Sequence, residues 1–437
     1  QGDPLVLRLR RVVTPAATKS MMMPHGRPLV FLQALLALLL VQVHVHAHPI
    51  VHDEPESATR DAMVDSGEWV DVRGSPVIMT GTNVVFKGAP WIPSVSGDAI
   101  CALTLETGNE TSCQTFNALD AQHIVGLGYN LVRLGVTWAG AQLEESGELD
   151  SAWLDRLHAF LDLAHEQGLY VLLDLHQDAV GTATCGEGVP MWFSQLAVPD
   201  DIGEPIWPLP DLADGTCGRN DTDGWAQYRG DVDYNIRNEC CRKRNQGPWG
   251  DLITTTQAQK TMAFLFSLEG RAHYVDFVGK LAAAVDQYPA AIGIELMNEP
   301  PFYLRGMMYE TWQACTEAIR AQSPTIAVGI SDPGNAALPI GDLDLRSSTV
   351  EWLESEPHLF YCFHWYGTPN TPTAAVDNAV KLASKWGMPA LLTEFGGYGE
   401  SRDKTPPPSS HAHQNHHHHD CYQKITTFSQ AARMVAT

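Results

Sequence analysis

Basic residues are scarce in this chain of 437 residues: 28 Lys and Arg stand against 51 Asp and Glu, a formal net charge of -23. So acidic a composition excludes nucleic acid and anionic membranes as partners, since both are held by basic patches. An uncharged or polar ligand fits better. Long apolar runs are scarce too. The stretch from Leu29 to Val43 falls short of the roughly 20 apolar residues that a membrane-spanning helix needs, so no stable membrane span is expected in the mature chain. The hydrophobic share of 44% is that of a globular protein, and the length suits one large domain or two ordinary ones.

The first methionines are Met21, Met22 and Met23, so residues 1–20 read as upstream sequence. From Met23, a basic start (His25, Arg27), the apolar run and Val45-His46-Ala47 follow the order of a secretory signal peptide cut after Ala47, with an uncleaved anchor as the alternative. Secretion makes sense of nine cysteines, because an oxidising compartment favours disulfides. Cys101 and Cys113 are near enough to bridge one loop; Cys185, Cys217, Cys240 and Cys241 crowd one insertion; the odd count leaves at least one unpaired. The sequons Asn109-Glu110-Thr111 and Asn220-Asp221-Thr222 suit the same route. The expected organisation is a leader over 1–47, a linker over 48–69 and one large domain over 70–437.

Within that domain a unit repeats: a short apolar strand, a loop, an amphipathic helix. The strands are expected at 77–86, 131–136, 170–176, 292–299, 325–331, 359–366 and 390–396. Several are nearly unbroken apolar runs, as in parallel strands buried on both faces. Helical spacing recurs over 151–168, closed by Gly168, and over 309–323 and 374–387. Such a series predicts an α/β fold, the (β/α)8 TIM barrel. Its eighth strand is expected to begin near 433–437, so the barrel reads as truncated before or within that strand. Two regions break the rhythm. Residues 185–261 are rich in Gly, Pro, Asp, Trp and Cys, as functional loops are. Residues 405–419 are low in complexity and His-rich, and read as a solvated linker rather than a metal-binding tract.

Active sites of such barrels lie at the C-terminal ends of the strands. That rule collects Arg133 in the second strand, His176 and Asp178 after the third, Asn298 and Glu299 at the fourth, His364 and Tyr366 at the sixth and Glu394 at the seventh. Two glutamates facing one another across a barrel mouth are what glycoside hydrolysis requires: an acid that protonates the departing oxygen and a carboxylate that attacks the anomeric carbon. Arg133 and Tyr366, if beside Glu394, keep it ionised as the nucleophile. Glu299, expected among apolar walls without a cation, holds its proton longer. Asn298 is placed to bond the sugar 2-hydroxyl. Trp138, Trp192 and Trp365 adjoin these motifs, and flat rings there can stack on sugar faces, whereas Trp207, Trp225 and Trp249 read as loop-core residues.

Together "VRLGVTWAG", "LLDLHQD", "ELMNEPP" and "LTEFG" resemble glycoside hydrolase family 5, and "GTNVVFKG" with "DLHQDAVGTATCGEGVPMW" is most similar to its endoglycoceramidase-related branch. The resemblance covers residues 70–400. It implies Glu299 as acid/base, Glu394 as nucleophile, and Arg133, His176, Asn298, His364 and Tyr366 as supporting residues. The expectation is a secreted, monomeric retaining β-glycosidase acting on a carbohydrate or glycolipid, with no metal or organic cofactor needed. A glucanase or mannanase acting on polysaccharide is the first alternative, and a non-catalytic carbohydrate-binding protein the second.

Overall fold

The structure, a computed structural model, describes residues 60–87, 90–96, 115–145, 147–184, 186–201, 253–301, 304–331, 345–366 and 371–395, all within one compact unit from His48 to Thr437. The signal peptide, both sequons, the cysteines expected to pair, Trp207, Trp225, Trp249, the His-rich segment and the eighth strand fall outside the described residues. Within them, Cys315 and Cys362 are buried free thiols.

A hairpin of β1 (Ala62–Asp65) and β2 (Glu68–Asp71) precedes seven strands: β3 (Gly81–Val84), β4 (Leu131–Val136), β5 (Tyr170–Leu175), β6 (Ala291–Glu295), β7 (Ala327–Ser331), β8 (Leu359–Trp365) and β9 (Ala390–Phe395). The seven pair in chain order and all in parallel. The described helices are α1 (Ala118–Gly126), α2 (Trp138–Ala141), α3 (Ser151–Glu166), α4 (Met191–Ala197), α5 (Thr256–Leu265), α6 (Leu268–Val285), α7 (Arg305–Gln322), α8 (Ser347–Ser355) and α9 (Pro372–Lys385). A parallel sheet whose neighbours follow chain order, with helices between successive strands, is the winding of a (β/α)8 barrel.

Local chemistry sets the elements. The α3 helix starts where the Asp150 carboxylate accepts from the Trp153 N–H, and it buries Trp153, Leu157, Phe160, Leu161 and Ala164 on one face. It ends before Gly168, whose φ of 69° suits a residue without Cβ. Strands β4, β5 and β6 are buried at every position, as their apolar runs require. At Gly81 a Cβ would stand 2.0 Å from the Leu131 carbonyl oxygen, so the pairing of β3 with β4 demands glycine there.

Two apolar layers result. The larger packs the helices against the outer faces of the strands. The smaller lies among strand residues Leu131, Tyr170, Leu172, Ile292, Ala327, Phe360 and Cys362, and the hairpin closes it with Ala62, Val64 and Trp69. The Trp69 ring meets Phe360 edge-on at 5.0 Å. Arg60, 2% exposed, anchors the hairpin by donating to the Ala291 carbonyl at 2.6 Å and to Asp286 at 3.0 Å. Residues 60–69, expected within a linker, therefore belong to the barrel's packing. The first strand is shorter than the sequence suggested, and α4 with the start of α5 lies inside the 185–261 stretch, where little periodicity was visible.

Candidate active site

Residues two apart on a strand share a face. Above Leu131 on β4 comes Arg133, and above Leu172 on β5 comes Asp174, so an apolar lower layer gives way to a charged one toward the strands' C-terminal ends. Asp174 and Glu295 are direct neighbours across β5 and β6. Two buried like charges there repel, and Arg133 resolves the conflict. Its guanidinium lies 3.0 Å from Asp174, donates to Glu295 at 2.8 and 3.1 Å, to the Asn298 side-chain oxygen at 3.0 Å, and to Glu394 at 2.8 Å. Ser331 adds a donor to Glu295 at 3.0 Å. Asp174 and Glu295 were not singled out from the sequence; the available signal was a carboxylate inside an unbroken apolar strand, which must find a buried partner.

Glu394, the residue before the end of β9, is opposite His364 on β8. Tyr366 donates its hydroxyl to the second Glu394 oxygen. Burial opposes the charge on Glu394, but His364, Arg133 and His176 together with the Tyr366 hydrogen bond outweigh it and lower its pKa to about 2. Burial and the Glu394 charge push Tyr366 well up, so it stays a donor. Glu299 follows β6 at a φ of 42°, and its carboxylate meets His364 Nδ1 at 3.0 Å. The expectation that Glu299 would have no cationic neighbour is thus corrected: burial alone would lower the His364 pKa, and the carboxylates of Glu394 and Glu299 raise it. His364 stands between the two acids, 3.9 Å from Glu394. One oxygen of Glu299 and one of Glu394 come within 4.8 Å of each other, with His364 at the same range from both.

His176 is held at 2.6 Å by Asp174 and stands 3.4 Å from Asp178. Burial disfavours its charge, yet the two aspartates raise its pKa to about 10. Asp178 also pairs with Lys87, whose ammonium lies 3.1 Å from Glu187. Asn298 is buried, accepting from Arg133 and donating to the Gln177 carbonyl at 3.0 Å. Glu299, His364 and Glu394 form one group able by composition to hold a cation, and His176, Asp178 and Glu187 form another.

The tryptophans divide. Trp138 is 2% exposed, stacks on Phe277 at 5.5 Å and donates to the Gln142 side chain at 2.7 Å. It is a core residue with no free face for a sugar, which corrects the expectation drawn from its place beside a motif. Trp192 is half-buried, meeting Trp138 edge-on and donating to the Gln142 carbonyl at 3.1 Å. Trp365, the last residue of β8, is half-buried as well.

Residues 97–416 match the cellulase family, glycosyl hydrolase family 5. The chain belongs to glycosyl hydrolase family 5. Endoglycoceramidase I of Rhodococcus hoagii (strain 103S) is 27% identical over 287 residues, 63% of this chain and 46% of the relative. The Endoglycoceramidase of Cyanea nozakii is 28% identical over 286 residues, 64% of this chain and 48% of the relative. The chain thus spans about half the length of the curated relatives it matches. A crystal structure of endogalactoceramidase superposes with a TM-score of 0.53 at 20% identity, covering 78% of this chain and 69% of the other, which shows the shared fold.

Proposed function

We propose that this family 5 protein is a retaining β-glycosidase that cleaves glycolipids of the glycosylceramide class. The observation that carries the reading is the approach of the Glu299 and Glu394 oxygens to within 4.8 Å. Retaining glycosidases hold their carboxyl groups about 5–5.5 Å apart, whereas inverting ones leave roughly 6.5–9.5 Å for a water. Glu394, ionised by its cationic neighbours, attacks the anomeric carbon while Glu299 passes a proton to the departing oxygen. The glycosyl ester on Glu394 is then hydrolysed by a water that Glu299 deprotonates. Arg133 and Tyr366 hold the nucleophile in its charged form and orientation.

Replacing Glu394 with Gly should reduce hydrolysis of an activated aryl β-glycoside by several orders of magnitude, and added azide or formate should restore turnover by filling the vacated space. Absence of rescue would remove Glu394 from the nucleophile's role. The likeness to endoglycoceramidases supports a glycolipid substrate, and the family's cellulase name favours a β-glucan as the second reading. Release of sugar from glucosylceramide, against soluble β-glucan and mannan, separates the two. We further place the protein in the secretory pathway as a monomer. N-terminal sequencing of exported protein should begin at His48, and light scattering should return the monomer mass.

A further inference from the structure

We propose that Gln177 is a positioning residue that fixes the backbone of Glu299; the proposal rests on the reading of Glu299 as the acid/base. Pairing of β6 ends at Glu295, so no sheet ladder holds Glu299, and Pro300 after it has no N–H to offer. Glu299 nevertheless sits at a φ of 42°, a left-handed conformation that residues with a Cβ adopt only where their surroundings impose it. A backbone bond from the Asn298 N–H to the Leu175 carbonyl at 3.1 Å fixes the residue before it, and one side-chain amide holds the two carbonyls that flank its φ. Gln177, 4% exposed, donates through Nε2 to the Asn298 carbonyl at 2.8 Å and to the Glu299 carbonyl at 3.2 Å. Its Oε1 accepts from the Val180 N–H at 3.0 Å, and its own main-chain carbonyl accepts from Asn298 Nδ2 at 3.0 Å.

Val180 and the preceding Ala179 are themselves at φ of 74° and 52°. Two disfavoured turns, one after β5 and one after β6, are therefore tied by a single amide that uses its donors on one and its acceptor on the other. Removing that amide leaves two carbonyls without their donor and lets Glu299 relax to negative φ. The change swings its Cβ and withdraws the carboxyl from its 3.0 Å contact with His364. Gln177 touches no reacting atom; it acts through the peptide of the acid.

The test uses the full chain with Gln177→Met, which keeps the bulk and loses the amide. A group that donates a proton to the leaving oxygen matters most when that oxygen leaves poorly. The kcat/KM for an alkyl or ceramide glycoside should therefore fall about tenfold or more beyond any loss on a 2,4-dinitrophenyl glycoside. Equal losses on both would mean that Gln177 is only a packing residue, and would overturn the proposal. A crystal structure of the variant decides independently of activity: Glu299 at negative φ, away from His364, supports the proposal, and an unchanged φ sinks it. Should the wild type cleave no glycoside, the functional reading fails while that structure still judges Gln177. If Gln177→Met does not fold, Gln177→Glu takes its place. Ionised, it cannot donate, so its activity on the poor leaving group relative to wild type should rise as pH falls and the carboxyl regains a proton. A flat ratio overturns the proposal.

Discussion

Tyr366 is the neighbour of Glu394 whose role can be isolated most cleanly, because its hydroxyl can be deleted with almost no change in shape. A hydrogen bond to a charged group contributes about 1.5–3 kcal/mol, which corresponds to roughly 10- to 100-fold in rate if it is lost at the reacting carboxylate. Tyr366→Phe should lower kcat/KM by that factor. It should also raise the acid limb of the pH profile, since the lost donor helped hold Glu394 near 2. An unmoved acid limb would mean that His364, Arg133 and His176 set the ionisation without it. At this scale the sequence was most readable where a polar group ends an apolar run. Asn298, Glu299, His364, Tyr366 and Glu394 were singled out that way and Arg133 as a cation within a barrel strand, and the structure gathers them around one centre. It was least readable where a role depends on which way a ring or amide faces. Trp138 stands beside a motif yet turns into the core, and Gln177 matters through backbone groups that no sequence pattern displays.

Among the elements, the barrel strands were legible because their inward and outward faces are both apolar, which leaves long runs. The hairpin was not. Strands of four residues bounded by Ser66 and Gly67, both at positive φ, are too short for period-two alternation to stand out from a polar linker. Its packing nevertheless makes it part of the domain. Trp69 is 6% exposed and lies against Phe360 among the lower-layer residues, away from the strands' catalytic ends. Trp69→Ala should cost about 3–5 kcal/mol in denaturant unfolding, the usual range for emptying a buried aromatic site. It should leave kcat/KM unchanged at temperatures where the variant is folded, because conserved function in such barrels sits at the opposite mouth. A loss of kcat/KM without a loss of stability would contradict this division between a structural floor and a chemical ceiling.

For the molecule as a whole, the buried charges set how stability follows pH, and their signs can be worked out separately. Glu394 has its pKa depressed from 4.5 to about 2, and Asp178 is depressed as well. Both contribute stability that is present above their ordinary values and lost as pH falls through the folded ones. His176 is raised from 6.5 to about 10, and His364 is raised too, so their contribution is complete below about 6.5 and lost as pH climbs. Glu187, whose carboxyl burial pushes up, adds to the decline above the ordinary carboxylate range. Denaturant midpoints should therefore be highest between about pH 4.5 and 6.5 and fall on both sides. A net charge of -23 also grows more negative with pH and adds self-repulsion on the alkaline side. Salt separates the two causes, since it screens exposed charges far more than buried pairs. In high salt the alkaline decline should persist in the wild type and become shallower in His176→Gln, which has no imidazolium to lose between pH 6.5 and 10 and keeps only the share due to His364 and Glu187. A decline that salt abolishes in the wild type would assign the effect to the acidic surface and not to the Asp174–His176–Asp178 array.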